Sequence, residues 1–223
     1  MQTPNISLHR SALPSGLPSN AAGLEPPSHS GQGGDGGSDD GGIVGLIRRE
    51  AAAARIAVQP LRGNVSVLEG SGGNVAVLSG NDGKLLVDAG MAVSRARIAE
   101  ALAAISPDPI RVLINTHWHF DHTDGNAWLH SEGAFILAHE NTRKHLSTTR
   151  RVEGWDFTFP PSRPEALPAV VFKNDCTVYH NGTEVLLEYY SPSHTDSDIC
   201  VYFADADVLH VGDTWWNGFY PFI

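Results

Sequence analysis

From residue 57 onward, apolar positions fall into short runs separated by Gly, Pro and Asn. Residues 63–70 (GNVSVLEG) are echoed at 73–80 (GNVAVLSG). β-Branched residues on either side of a Gly-rich turn predict an antiparallel hairpin, and two copies are too few for a solenoid. Residues 84–88 predict a third strand after the turn at Asn81, Asp82 and Gly83. Val93, Ala96, Ile98, Leu102 and Ile105 share one helical face, and Pro107 and Pro109 end that helix. Strands are expected at 111–115 and 134–138, with a short helix over 123–129 between them. The second half predicts strands at 184–190, 199–203 and 208–211. Residues 148–168 connect the halves and carry Trp155, Phe157 and Phe159. A connection of that length in a compact domain is usually functional or mobile.

The first 42 residues break this pattern. They contain nine Gly, seven Ser and five Pro and no Phe, Trp or Tyr. Such a composition cannot bury enough apolar surface to offset its ordering entropy. Three regions are therefore expected: a disordered low-complexity tail at 1–42, a linker or short helix at 43–56, and a domain at 57–223. The apolar stretch 43–47 is too short for a signal-peptide core, and Arg48 and Arg49 follow it rather than precede it. The cytoplasm is the default compartment, with export left open. No run approaches the 18 or so apolar residues of a membrane helix. A net charge of −10 argues against nucleic acid and anionic membrane as partners, because both select basic faces. A small-molecule substrate is the expected partner. Cys176 and Cys200 are too few for a disulfide framework or a four-cysteine metal site. A disulfide between them stays open.

Histidine changes the picture. Asn115 and Thr116 lead from an apolar strand into His117, His119, Asp121 and His122, an H-x-H-x-D-H run. In extended chain His117 and His119 point to the same side. Asp121 and His122 fall at the turn into the next helix, where they can face the same point. Imidazole suits zinc, iron or nickel. A catalytic zinc ion takes three protein ligands and leaves a place for water, so this density of ligands suggests two ions. His9, His29, His130, His139, His145, His180 and His210 stand alone and are read as ordinary surface or core residues.

These residues resemble the metallo-β-lactamase-fold superfamily of metallohydrolases. Four marks occur in that family's order: the run Leu85 to Gly90 with Asp88, the motif at 117–122, His194 in SPSHTDSD at 191–198, and Asp213 in VGDT at 211–214. The resemblance implies an α/β fold, the αββα sandwich. It implies that His117, His119 and His194 hold one zinc ion, that Asp121 and His122 help hold a second, and that Asp213 bridges them. Asp88 would orient the ligand loop without binding metal. The family pattern has a further His beyond Asp213. This chain has no His after His210 and ends ten residues past Asp213. The expectation is therefore a chain truncated before its last ligand, with the second half of the sandwich incomplete and the second metal weak.

Zinc lowers the pKa of bound water to about 7 and supplies hydroxide. Asp121 would aim that hydroxide and pass a proton. The expected reaction is hydrolysis of an ester, thioester or amide. The family's β-lactamases carry Cys or Ser where Asp213 stands, so β-lactam hydrolysis ranks as a side activity. Trp155, Phe157, Phe159, Trp215, Trp216, Phe219 and Tyr220 follow ligand segments and are candidates for a pocket wall or for core packing. Two rivals stand beside this reading: a metal-binding fragment without catalysis, and a mononuclear iron oxidoreductase on the same fold.

Overall fold

The computed structural model describes residues 42–218, 220 and 221. The expected low-complexity tail lies outside these residues apart from Gly42, and so do Phe219, Phe222 and Ile223.

The chain opens with α1 (Ile43–Ala53) and runs through four antiparallel-paired strands, β1 (Ala57–Pro60), β2 (Val65–Glu69), β3 (Val75–Leu78) and β4 (Lys84–Val87). The echoed runs form the hairpin β2–β3, with Val65 opposite Leu78 and Leu68 opposite Val75. A short 3₁₀ turn and α2 (Arg95–Ile105) then carry the chain across to β5 (Ile110–Asn115), which pairs parallel to β4. A parallel pair needs such a crossover. Next come α3 (Phe120–Thr123), α4 (Asn126–Ser131), β6 (Phe135–His139) and α5 (Glu140–Leu146). The two-stranded hairpin β7 (Arg150–Val152) and β8 (Phe157–Phe159) precedes β9 (Val170–Phe172), which returns parallel to β6. The remaining strands, β10 (Cys176–His180), β11 (Thr183–Tyr189), β12 (Ile199–Phe203) and β13 (Val208–His210), form an antiparallel sheet of four.

The larger sheet has the order β1-β2-β3-β4-β5-β6-β9. One face, with Leu78, Leu85, Val87 and Ile114, packs on Val185, Leu187, Val201 and Phe203 of the smaller sheet. The other face, with Val77, Leu86, Leu113 and Ile136, packs on Ile98 and Leu102 of α2 and Leu129 of α4. Among the described residues the layers are thus helix, sheet and sheet, three layers of the expected sandwich. Central strands β3 and β4 are buried along their whole length, as sandwiching on both faces requires.

Several local expectations change. The helix expected over 123–129 is two helices. The chain breaks at Gly125, where a Cβ would stand 2.4 Å from the carbonyl oxygen of Ala89. Residues 43–53 form a helix whose Val44 and Ala51 are buried with Met91 and Phe120. Ser94 Oγ and Arg97 Nη2 donate to its Ala51 carbonyl, at 3.0 and 2.9 Å. The connection between the halves contains the β7–β8 hairpin, whose Phe157 and Phe159 pack with Trp155 against the same cluster. Cys176 and Cys200 are both free thiols, which closes the question of a disulfide. No helix among the described residues is long and apolar enough to cross a membrane.

Candidate metal centre

Asp88 follows β4, and Thr116 and His117 follow β5. Both therefore stand at the carboxyl ends of adjacent parallel strands, where open α/β sheets place their sites. The smaller sheet meets them there. The Ile199 N–H at the start of β12 donates to the Thr116 carbonyl at 3.0 Å, which draws the loop bearing His194 onto the loop bearing His117. Asp213 lies in the 3₁₀ turn Gly212–Thr214 directly after β13.

Two groups of donor atoms result. His117, His119 and His194 form one, and His117, His122 and Asp213 the other, with the atoms of each group within 4.8 Å of one another. In the first, His119 Nδ1 lies 3.1 Å from His117 Nε2 and 2.8 Å from His194 Nε2. Nitrogens around a tetrahedral zinc ion sit about 3.3 Å apart, so a small opening of this cluster fits the ion. Burial holds the pKa values of His117 and His119 well below the usual imidazole range, and neighbouring imidazoles push the same way. Neutral imidazole is the ligating form.

In the second group His122 Nε2 lies 3.2 Å from Asp213 Oδ1 and 3.5 Å from Asp121 Oδ2. His122 Nε2 and Asp213 Oδ1 are both buried without a hydrogen bond. Buried polar atoms are seldom left so, and a cation between them would satisfy both. Burial alone would depress His122, but Asp213, Asp121 and Asp88 together raise its pKa well above the ordinary value. Asp213 shows the converse: burial would raise it, yet the charge of His122, with those of His194 and His119, lowers it to about 2. Asp121 is raised by burial, with His122 acting against the shift.

One buried carboxylate serves both groups. Asp88 Oδ2 accepts from His122 Nδ1 at 2.7 Å, which turns Nε2 toward Asp213. Its two oxygens also accept from the Thr116 N–H and hydroxyl, each at 2.8 Å. Since the Thr116 hydroxyl donates to Asp88, it accepts from His117 Nδ1 at 3.0 Å, and His117 Nε2 is left with its lone pair facing the cluster. The backbone of Asp88 is left-handed, φ +66°, a conformation Asp tolerates better than most residues.

The Gly-rich turn between the echoed strands packs against the second group. A Cβ on Gly73 would lie 2.2–2.6 Å from the His122 ring, and one on Gly72, φ +82°, would lie 2.7 Å from Asp121 Cβ. Only glycine leaves room for these two side chains.

The aromatic candidates divide. The Trp155 ring is 5.1 Å from that of His119, and the Trp216 ring 6.1 Å from that of His194. Phe157 packs on Phe159, with the Arg48 guanidinium 5.7 Å above its ring. Trp215 and Tyr220 are exposed. His210, a lone histidine in the sequence, is half-buried near the site. Its Nε2 donates to the Asn74 carbonyl and its Nδ1 accepts from the Gly212 N–H, each at 3.2 Å. Both nitrogens are used, so His210 is no substitute ligand. Sequence reasoning passed over Thr116 and the Gly72–Gly73 pair. The one visible signal was the repetition of a Gly-rich junction between the echoed runs.

The profile of the metallo-beta-lactamase superfamily matches residues 68–222. The chain belongs to that superfamily. Solved structures share its fold. A subclass B3 metallo-β-lactamase of Bradyrhizobium japonicum is 22% identical with a TM-score of 0.58, over 70% of this chain and 59% of that one. A Cronobacter sakazakii metallo-β-lactamase is 21% identical with a TM-score of 0.63, over 80% and 69%. A class B3 di-zinc metallo-β-lactamase from an Alaskan soil metagenome is 17% identical with a TM-score of 0.57, over 69% and 59%. The chain thus spans about three-fifths of the length of several structures it matches.

Proposed function

We propose that this superfamily member is a metal-dependent hydrolase. His117, His119 and His194 would hold one zinc ion, and Asp121, His122 and Asp213 would help hold a second, with Asp213 between the two. One observation carries the reading: three imidazole nitrogens from segments some 75 residues apart meet at 2.8–3.1 Å. Zinc at such a centre supplies Lewis-acid activation of water and of the scissile oxygen.

The chain's own groups do the rest. Asp88, directly and through Thr116, keeps the donor atoms of His122 and His117 turned inward. The Asp121 side chain is 24% exposed, so it can orient the attacking water, accept its proton and deliver a proton to the leaving group. Trp155 and Trp216 flank the ligand rings and wall the approach for a small-molecule substrate. The bond cleaved is an ester, thioester or amide. The carboxylate at Asp213 favours such general hydrolysis, and the similarity to proteins named as B3 β-lactamases supports β-lactam cleavage as a side activity.

The test is elemental analysis of the purified chain with hydrolysis of a panel of esters, thioesters and β-lactams, beside His117→Ala and Asp121→Asn. Expected are bound zinc, turnover of at least one panel member, loss of zinc in His117→Ala, and loss of turnover with zinc retained in Asp121→Asn. One iron per chain without zinc, or a zinc-loaded chain inert on the whole panel, would overturn the reading.

A further inference from the structure

One histidine outside the ligand set touches both chain segments that meet at the three-histidine group. His145 lies on the last turn of α5, with 12% of its side chain exposed. Its Nε2 is 2.5 Å from Asp196 Oδ1, and Asp196 is two residues past His194. Its ring lies 5.2 Å from that of Trp118 at 31°, and Trp118 stands between His117 and His119.

Asp196 is gripped from other sides as well. Asn141 Nδ2, also on α5, donates to its carbonyl at 2.8 Å, and the Tyr189 hydroxyl at the end of β11 donates to the same oxygen at 3.0 Å. The Tyr189 ring is stacked 3.9 Å from His139 at 6°, which ties this corner to the end of β6. The loop at 191–198, between β11 and β12, has no regular structure; beside the bonds within it at Thr195, Ser197 and Asp198, these contacts tie it to α5 and β11.

We propose that His145 and Asp196 form a brace that sets His194 Nε2 against His119 Nδ1 and thereby tunes the metal affinity of the three-histidine group. The proposal rests on reading His117, His119 and His194 as that group's ligands. His145 and Asp196 are positioning residues: neither contributes a donor atom to the converging groups among the described residues. Outer partners of this kind typically change metal affinity roughly 10–100-fold, because an unbraced loop must be ordered when the metal binds.

The experiment titrates zinc, against a competing chelator, into the metal-free full chain and into Asp196→Ala, His145→Ala, His145→Gln and His117→Ala. Visible spectra of the cobalt(II)-substituted proteins report ligand geometry. Asp196→Ala and His145→Ala should weaken the first zinc roughly 10–100-fold and shift the cobalt spectrum, with unchanged circular dichroism. His145→Gln keeps an N–H for Asp196 and should restore most of the affinity. Asp196 is half exposed, so Asp196→Ala decides the matter if His145→Ala does not fold. Unchanged affinity and spectrum in Asp196→Ala, with zinc lost in His117→Ala, would overturn the brace and leave the ligand reading standing. Equal zinc binding by the parent chain and His117→Ala would overturn both.

Discussion

The two donor groups share His117 and lie side by side, yet they are built on different physics. The three-histidine group is a crowd of imidazoles, with His117 and His119 held neutral by burial and by one another. Its members come from two loops, and its outer contacts are aromatic and helical: Trp118, Trp155 and α5. The His122–Asp213 group is a compensated ion cluster, with a raised imidazole among three carboxylates. Its own support is a backbone, the Gly72–Gly73 turn, while Asp88, bonded to His122 directly, is shared with the first group through Thr116. Since the supports differ, each group should fail separately when its own support is changed, and both should fail when a shared part is removed.

The largest effect is expected from a shared part. His117→Ala deletes a donor from both groups, and zinc retained after dialysis should fall to near zero by elemental analysis. A variant that kept one tightly bound zinc would show that the groups do not depend on a common ligand. Asp88→Ala follows. It frees the His122 ring and the Thr116–His117 relay together, so zinc affinity should drop roughly 10–100-fold at both groups in a chelator competition. Asp88→Asn should lose less, since it keeps the shape, an acceptor oxygen and a tolerance for the left-handed backbone. A loss confined to the second equivalent of zinc would remove Thr116 from the account.

Gly73→Ala is the change that should separate the groups. Its methyl displaces the His122 ring and leaves the three-histidine group untouched. The second zinc equivalent should weaken about tenfold while the first keeps its affinity, read by calorimetric titration. Equal weakening of both would mean that the groups move as one body. The smallest effect is expected from His210→Gln. Because both ring nitrogens of His210 are engaged by backbone, metal content should not change. Losing those bonds should cost about 1 kcal/mol, seen as a shift in the urea midpoint of the metal-free chain. A fall in zinc content would return His210 to the second group.

Much of this was legible in the chain itself. The H-x-H-x-D-H run needed no partner to be noticed, because its imidazoles and carboxylate sit within six residues on the end of a strand whose apolar run is itself a local signal. The hairpin β2–β3 and strands β5, β11 and β12 were likewise carried by local alternation or apolar runs. Helix α1 was half legible, as linker or helix, because its burial partners Met91 and Phe120 lie far along the chain. The hairpin β7–β8 was not legible. Its strands are three residues each, too short for a period to register, and they are held by aromatic packing on α1 and Phe120.

The sequence by itself determined the chemistry: which residue types are available as ligands, how they are spaced, and that an apolar strand delivers them. Those are properties of neighbouring residues, set by side-chain alternation and by the preference of imidazole and carboxylate for metal. The resemblance had already grouped His117, His119 and His194, but only the tertiary structure decided how they meet and what holds them. It brought His194 onto His117 through one bond from β12 to Thr116, gave Asp88 to both donor groups, consumed His210 in backbone bonds, and put His145 beside Asp196. Each of these joins residues distant in sequence, and such distances close only when the two sheets pack and bury the groups between their ends.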